Sequence, residues 1–143
     1  MTHMKKNILV VDDSALMRRV MCDIINSDSK FQATDYCRDG LEAYEKLKHT
    51  SYDGVVLDVN MPRMDGLQLL EKLQKEGIRA NVVMVSTLTD SREADVTILA
   101  MERGAIDFVA KPTNIIEAKG EAFKRQLLGV LNAVLATQKA AES

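Results

Sequence analysis

Side chains that could take part in chemistry follow four short apolar runs of the sequence. In chain order they are Asp12 with Asp13, Asp58, Ser86 and Lys111. Taken singly, each has an ordinary explanation, because Asp and Ser often cap helices and a Lys is usually a solvated charge. Helix capping, however, explains neither the lysine nor the presence of a chemically active side chain after all four runs. We therefore interpret these five residues as one candidate site.

The three acids determine which chemistry such a site could perform. Two carboxylates about 4 Å apart repel by roughly 4 kcal/mol at an effective dielectric near 20, so three of them in one cleft require a cation. Oxygen ligands without a nearby histidine or thiol favour a hard ion, and a few carboxylates with retained waters suit Mg²⁺ better than Ca²⁺. A divalent cation flanked by a lysine and a hydroxyl predicts a site that accepts a phosphoryl group.

The apolar runs themselves predict strands. They are short and mostly β-branched, which is typical of parallel strands that are covered on both faces. The runs lie at residues 8–11, 55–57, 82–85 and 108–110. Residues 31–37 are more polar and predict an edge strand.

Five stripes of apolar residues at helical spacing alternate with these strands. The stripes begin at Met17, Leu41, Leu67, Val96 and Phe123. Gly104 is predicted to end the fourth helix at its C′ position. Strand alternating with helix predicts an α/β fold with an open parallel sheet and helices on both faces. Ligands of such sheets bind beyond the carboxyl ends of the strands, where the five candidate residues lie.

Composition excludes several classes of function. The chain has 143 residues, is 46% hydrophobic and has a formal net charge of -2, so it has no broad basic surface for direct contact with nucleic acid. No apolar stretch approaches the ~20 residues of a membrane span, and no signal peptide is evident, so we expect a cytoplasmic protein that does not bind membranes. Cys22 and Cys37 lack the spacing of a zinc site.

Four sequence segments carry a resemblance to a known family. They are residues 8–14 (ILVVDDS), 57–66 (LDVNMPRMDG), 85–87 (VST) and 104–112 (GAIDFVAKP). Their order and spacing resemble the receiver domains of two-component response regulators. The resemblance implies a flavodoxin-like (CheY-like) doubly wound fold, with five parallel strands in the order 2-1-3-4-5 and five helices on both faces.

The resemblance also implies a role for each residue of the candidate site. Asp58 would be the phosphoacceptor, Lys111 would pair with a phosphoryl oxygen, and Ser86 would bind another after switching. Mg²⁺ would be held by four residues: Asp12 through water, Asp13 and Asp58 directly, and Asn60 through its carbonyl. The phosphoryl donor would be a phosphohistidine of a sensor histidine kinase.

Three residues are implied as parts of a conformational switch: Ser86, Phe108 and Pro112. Phe108 would turn inward and change the face made by the fourth helix, fifth strand and fifth helix, which would bind an output domain or effector protein. On the residues alone, the assignment of Phe108 to the ordinary core is favoured. The bond between Lys111 and Pro112 is implied to be cis.

Residues 11–19 and 107–112 resemble in particular the receiver half of the chemotaxis methylesterase CheB. The sequence lacks a Gly-x-Ser-x-Gly elbow, so we expect no methylesterase chemistry and do not classify the chain as an enzyme. The sequence fits both a receiver domain excised from a longer protein and a free-standing receiver domain. We expect a single receiver domain over residues 1–143, with a core of about 7–137 and frayed ends at 1–5 and 138–143.

Two other functions remain open at this point. A Mg²⁺-dependent phosphohydrolase with an aspartyl-phosphate intermediate needs similar groups, but Asn60 stands where its second acid is usual. A docking domain that ignores phosphate is the third possibility. In a CheB-like receiver an acid is also usual at position 60, so the amide predicts a different lifetime of the phosphoaspartate.

Overall fold

The apolar runs form the strands of a central sheet and the stripes form helices around it. The computed structural model describes residues 5–87 and 93–142, with side chains described for residues 5–87 and 94–135. Strands β1 to β5 span Lys6–Val11, Phe31–Cys37, Gly54–Leu57, Val82–Ser86 and Asp107–Ala110. Helices α1 to α6 span Ala15–Asn26, Gly40–His49, Gly66–Lys75, Glu93–Glu102, Ile115–Ala118 and Glu121–Glu142.

The sheet has the predicted order, β2-β1-β3-β4-β5, and its neighbouring strands are all parallel. Val11 pairs with Leu57, and Leu57 pairs with Met84. Between β4 and β5, Ser86 pairs with Ala110. The carboxyl ends of these four strands lie within two residues of one another in the register, so the residues that follow them share one edge of the sheet. The flavodoxin-like fold is confirmed.

Alternate residues of β1 face two separate cores, which explains why its apolar run is continuous. Ile8 and Val10 contribute to a cluster with residues of α1 and α6, which we name the Ile8 core. Leu9 and Val11 contribute to a cluster with residues of α2, α3 and α4, the Leu9 core. All four side chains are fully buried. A fully buried Val, Leu or Ile contributes about 1.5–3 kcal/mol, so both faces hold the sheet in place.

The segment before the last helix adds a short helix that hydrophobic patterning missed. Five helices were predicted, whereas the described residues form six, because Ile115–Ala118 makes a single turn, α5. Asn114 caps this turn by accepting the Glu117 N–H at 2.8 Å, and Ala118 is buried. Residues 1–4 and 143 of the expected frayed ends lie outside the described residues. No helix in the described part of the chain is long and apolar enough to cross a membrane.

Gly104 ends α4 as predicted. Its φ of 104° lies in the region that only glycine adopts freely. The Gly104 N–H donates to Met101 O at 3.1 Å and the Ala105 N–H donates to Ala100 O at 3.0 Å, the two bonds of a Schellman motif. The turn directs the chain into β5, which carries Lys111 at its end.

Replacing Gly66 with Ala is expected to lower the free energy of unfolding by about 1–3 kcal/mol. A Cβ on Gly66 would collide with the carbonyl oxygen of Asp58 and lie 3.1 Å from Val59 Cα, both of them backbone atoms. Gly129→Ala is the matched control, since a Cβ there meets nothing within 4 Å. In helix α6 this change should stabilise by roughly 0.5–1 kcal/mol. Equal stabilities of Gly66→Ala and the wild type in urea denaturation would contradict this account.

Candidate functional site

The three acids of the candidate site lie together beyond the strand ends. Asp12 and Asp13 directly follow β1, and Asp58 directly follows β3. One carboxylate oxygen of each lies within 4.8 Å of the others. Asp12 and Asp58 are 0% and 4% exposed, whereas Asp13 is open to solvent. The cluster therefore has a buried floor and one side that a ligand can approach.

Lys111, which follows β5, reaches two of these acids. Its ammonium group donates to Asp12 Oδ2 at 2.8 Å and to Asp58 Oδ2 at 2.9 Å. The Lys111 side chain is only 11% exposed, so water screens these ion pairs weakly. The lysine that helix capping did not explain is thus part of the acidic site.

Asp58 receives hydrogen bonds at both carboxylate oxygens. The Ser86 hydroxyl, at the end of β4, donates to Asp58 Oδ1 at 2.7 Å. The backbone N–H of Val59 donates to the same oxygen at 2.7 Å. With the ammonium group on Oδ2, these contacts fix the orientation of the Asp58 carboxylate.

Helix α1 positions Asp12 through contacts that sequence patterning did not anticipate. The Ser14 N–H donates to Asp12 Oδ1 at 2.9 Å, while the Ser14 hydroxyl caps the helix by accepting the Met17 N–H at 3.2 Å. The Arg18 guanidinium donates to the carbonyl oxygen of Asp12 at 2.9 Å. The placement of Arg18 one turn after the cap was the available signal.

The electrostatics of the site favour an added cation. Burial and the nearby charge of Asp58 raise the pKa of Asp12, and the contacts with Lys111 offset this only in part. Burial opposes the charge of Lys111, but Asp58 and Asp12 outweigh it and raise the pKa of that ammonium group. Three carboxylates against one ammonium leave two negative charges. The charge and the all-oxygen donors therefore fit a hard divalent ion such as Mg²⁺.

In a chelating buffer, Asp12→Asn is expected to be more stable than the wild type near neutral pH. A raised pKa means that the folded protein holds the Asp12 proton at pH values where the unfolded chain has released it. This group therefore lowers stability as the pH rises above its ordinary pKa of about 3.8. The advantage of the variant should shrink as the pH is lowered from about 7 towards 4.

Urea denaturation across that pH range measures the difference between the two proteins. Asp23→Asn is the control, because Asp23 is an exposed acid on α1 and its pairing with Arg19 is solvated. A wild type that is more stable than Asp12→Asn at neutral pH, without metal, would contradict the account.

The other predicted residues surround this centre. Asn60 is exposed in the loop between β3 and α3. Phe108 is half-buried in β5 and packs against the Leu9 core. Pro112 is half-buried next to Lys111. The bond before Pro112 is trans, so the expected cis bond is wrong; an X–Pro bond favours trans by about 0.5–1 kcal/mol, and Lys111 reaches both acids in that form.

Comparisons with known proteins agree with this arrangement. The family model described as "Response regulator receiver domain" matches residues 8–120. A protein-glutamate methylesterase/protein-glutamine glutaminase of Pyrococcus horikoshii is 45% identical over 124 residues, which are 87% of this chain and 33% of that protein. The protein of the same name from Escherichia coli is 50% identical over 109 residues, 76% of this chain and 30% of that protein. The chain thus spans about a third of the length of these curated relatives.

Solved structures show the same likeness. The response regulator domain of Thermotoga maritima CheB superposes with a TM-score of 0.79 at 34% identity, covering 93% of this chain and 98% of that one. A Borrelia burgdorferi chain from a CheX-CheY-BeF3-Mg complex gives a TM-score of 0.74 at 29% identity, covering 90% of this chain and 88% of that one. With the matched residues spanning the whole acidic edge, this chain belongs to the response regulator receiver domain family, and its relatives are of the chemotaxis type.

Proposed function

We propose that Asp58 accepts a phosphoryl group from a phosphohistidine of a sensor histidine kinase in a Mg²⁺-dependent reaction. The observation that carries this proposal is the environment of the Asp58 carboxylate. It is held by Ser86, by the Val59 N–H and by Lys111, next to two further acids at the open edge of the sheet. A carboxylate so placed can act as a nucleophile towards phosphorus.

In this reaction an Asp58 oxygen forms a bond to phosphorus while the bond between phosphorus and the donor histidine nitrogen breaks. The electron pair of that bond returns to the imidazole, which leaves as neutral histidine once it has taken a proton. Lys111 neutralises a phosphoryl oxygen, and positioning with charge neutralisation provides most of the catalysis. Bound Mg²⁺ would be held by Asp12, Asp13, Asp58 and the carbonyl of Asn60, and would supply the remaining positive charge.

The same residues support a switch. A phosphoryl group on Asp58 adds one to two negative charges and strong acceptor oxygens, which would draw the Ser86 hydroxyl away from Asp58 Oδ1. Phe108 would then move towards Ser86, and Pro112 would adjust the loop behind Lys111. The changed face is made by α4, β5 and α6, the last being the fifth helix of the sequence prediction. We propose that an output domain or effector protein binds there.

One solved structure and the methylesterase/glutaminase relatives support phosphoryl chemistry with Mg²⁺ and a protein partner. The structure of the Borrelia burgdorferi CheY includes CheX, BeF3 and Mg²⁺. The methylesterase/glutaminase relatives are longer proteins of which this chain matches about a third, the receiver part. We therefore propose that this chain acts as a regulatory receiver of a chemotaxis-type pathway.

Intact-mass spectrometry after incubation with acetyl phosphate and Mg²⁺ tests the proposal. The wild type should gain the mass of one phosphoryl group, and Asp58→Asn should gain none. Asp23→Asn should be labelled as the wild type is, because Asp23 is a solvated acid in the last turn of α1. An unlabelled wild type, or a labelled Asp58→Asn, would overturn the assignment. Multiple turnover of phosphomonoesters would instead favour a phosphohydrolase.

Replacing Asn60 with Glu is expected to change the lifetime of the phosphorylated protein by about tenfold or more. Asn60 is exposed two residues after Asp58, where an attacking water would approach. A carboxylate there would alter the charge and the space available to that water, and a positioned group of this kind contributes roughly 10²–10⁴-fold in proton-transfer catalysis. The decay of the phosphoryl mass in the presence of Mg²⁺, after removal of acetyl phosphate, measures the lifetime. Identical decay rates in the two proteins would contradict the prediction.

A further inference from the structure

A third buried acid, Asp39, lies outside the acidic cluster and is held by an arginine from a distant part of the chain. Asp39 is 4% exposed at the start of α2. Arg63 binds its Oδ2 through two guanidinium nitrogens, Nε at 2.8 Å and NH2 at 2.7 Å. The other oxygen, Oδ1, caps α2 by accepting the Glu42 N–H at 2.9 Å. The carboxylate therefore joins the helix to residue 63.

Arg63 belongs to the loop that leads from Asp58 to α3. Its φ of 64° lies in the left-handed region, which costs a residue with a β-carbon about 1–2 kcal/mol and persists only where the surroundings enforce it. The next residue, Met64, accepts the Gly40 N–H through its carbonyl at 2.8 Å. A Cβ on Gly40 would lie 2.5 Å from that carbonyl oxygen, so the loop and the start of α2 are in close contact. These contacts anchor the middle of the loop.

The anchored segment also carries Asn60. Its two ends are fixed to the sheet and to α3, because the Gly66 N–H donates to Val59 O at 2.8 Å. Between these ends, the hydrogen bonds of Arg63 and Met64 tie the loop to the α2 terminus, and the side chains of Met61 and Met64 pack against the Leu9 core. The Arg63–Asp39 bond is the charged contact among these anchors, and the backbone path through Asn60 depends on it in part.

We infer that Asp39 and Arg63 are positioning residues for the metal-binding edge, which they serve by fixing the loop that carries Asn60. This inference rests on the proposed function, because it takes Asn60 and Asp58 as part of a Mg²⁺ site. Neither residue of the pair belongs to the acidic cluster of Asp12, Asp13 and Asp58. They preorganise the loop, so that it loses less conformational entropy when Mg²⁺ binds.

Mg²⁺ titration by calorimetry with single and double variants tests this role. Arg63→Gln keeps the β-carbon and an unbranched polar side chain, although a shorter one, so the backbone strain is unchanged while the charged pair is lost. Its Mg²⁺ affinity should fall about tenfold, the lower range for residues that orient metal ligands, and Arg63→Lys should recover part of the loss. Asp39→Asn should resemble Arg63→Gln. The double variant should be no weaker than either single variant, because both remove the same interaction.

Arg38→Gln is the matched control. Arg38 is a neighbouring, exposed arginine that pairs with Glu42 at 3.4 Å, and its loss should leave Mg²⁺ affinity unchanged. Amide hydrogen exchange in metal-free protein gives an independent readout. The Gly66 and Gly40 N–H groups should exchange about tenfold faster in Arg63→Gln than in Arg38→Gln.

The outcomes separate the two proposals. Wild-type affinity and wild-type exchange rates in Arg63→Gln, with Mg²⁺ binding and labelling of the wild type intact, would overturn the positioning role alone. Lower unfolding free energy with unchanged Mg²⁺ affinity would also overturn it, since that is the signature of a purely structural pair. Failure of the wild type to bind Mg²⁺ would overturn the positioning role together with the proposed function.

Discussion

Replacing Lys111 with Met is expected to lower the free energy of unfolding of the metal-free protein by about 3–5 kcal/mol. The ammonium group is the common partner of Asp12 and Asp58, at 2.8 and 2.9 Å, and both carboxylates are buried. Methionine keeps the apolar part of the side chain but leaves two uncompensated negative charges. Saturating Mg²⁺ should restore a large part of the loss, since a cation at the acidic cluster takes over the neutralisation.

Urea denaturation in chelator and in Mg²⁺ measures both effects. Lys75→Met is the control, because Lys75 is a solvated residue of α3 that pairs with Glu71 at 3.2 Å. Its replacement should change stability by less than about 1 kcal/mol. If Lys111→Met were as stable as the wild type without metal, Lys111 would not be holding the two acids. Labelling by a phosphodonor should also be strongly reduced in Lys111→Met.

Replacing Asp13 with Asn is expected to weaken Mg²⁺ binding by at least about a hundredfold. Unit charges about 4 Å apart interact by roughly 4 kcal/mol at an effective dielectric near 20, and each 1.36 kcal/mol is a factor of ten. The amide oxygen retained by Asn offsets part of the loss, so we give the lower limit. Asp13 is exposed, so the same change should alter folding stability little.

Calorimetric titration with Mg²⁺ measures the affinity. Asp23→Asn again serves as the control, because Asp23 is an exposed acid on α1. The affinity of Asp23→Asn should match that of the wild type within about twofold, because its charge is solvated and lies about 12 Å along α1 from the start of the helix. Equal Mg²⁺ affinities of Asp13→Asn and the wild type would remove Asp13 from the metal site.

Much of the fold could be predicted because the strands are covered on both faces. A continuous run such as Val55 to Leu57 is short and buried on both sides, which favours a parallel strand over a helix. The polar residues after each run then locate the site, since parallel strands end at one edge of the sheet. The contacts of Lys111 and Ser86 with Asp58 agree with the prediction that these residues form one site.

What could not be predicted depends on contacts between distant residues. Nothing in the local sequence shows that Arg63 binds Asp39, 24 positions earlier, or that its backbone takes a left-handed conformation to do so. Helix α5 is a single turn, too short to show an apolar stripe. The Lys111–Pro112 isomer was taken from the family resemblance, and the structure corrects it.

The central claim is that the Asp58 carboxylate, and no other group, captures phosphorus. The most direct measurement is reduction of the phosphorylated protein with borohydride, which converts an acyl phosphate on aspartate to homoserine, followed by peptide mapping. We predict homoserine at position 58 and unmodified aspartate at positions 12 and 13. Homoserine at either of those positions, or at none, would contradict the account.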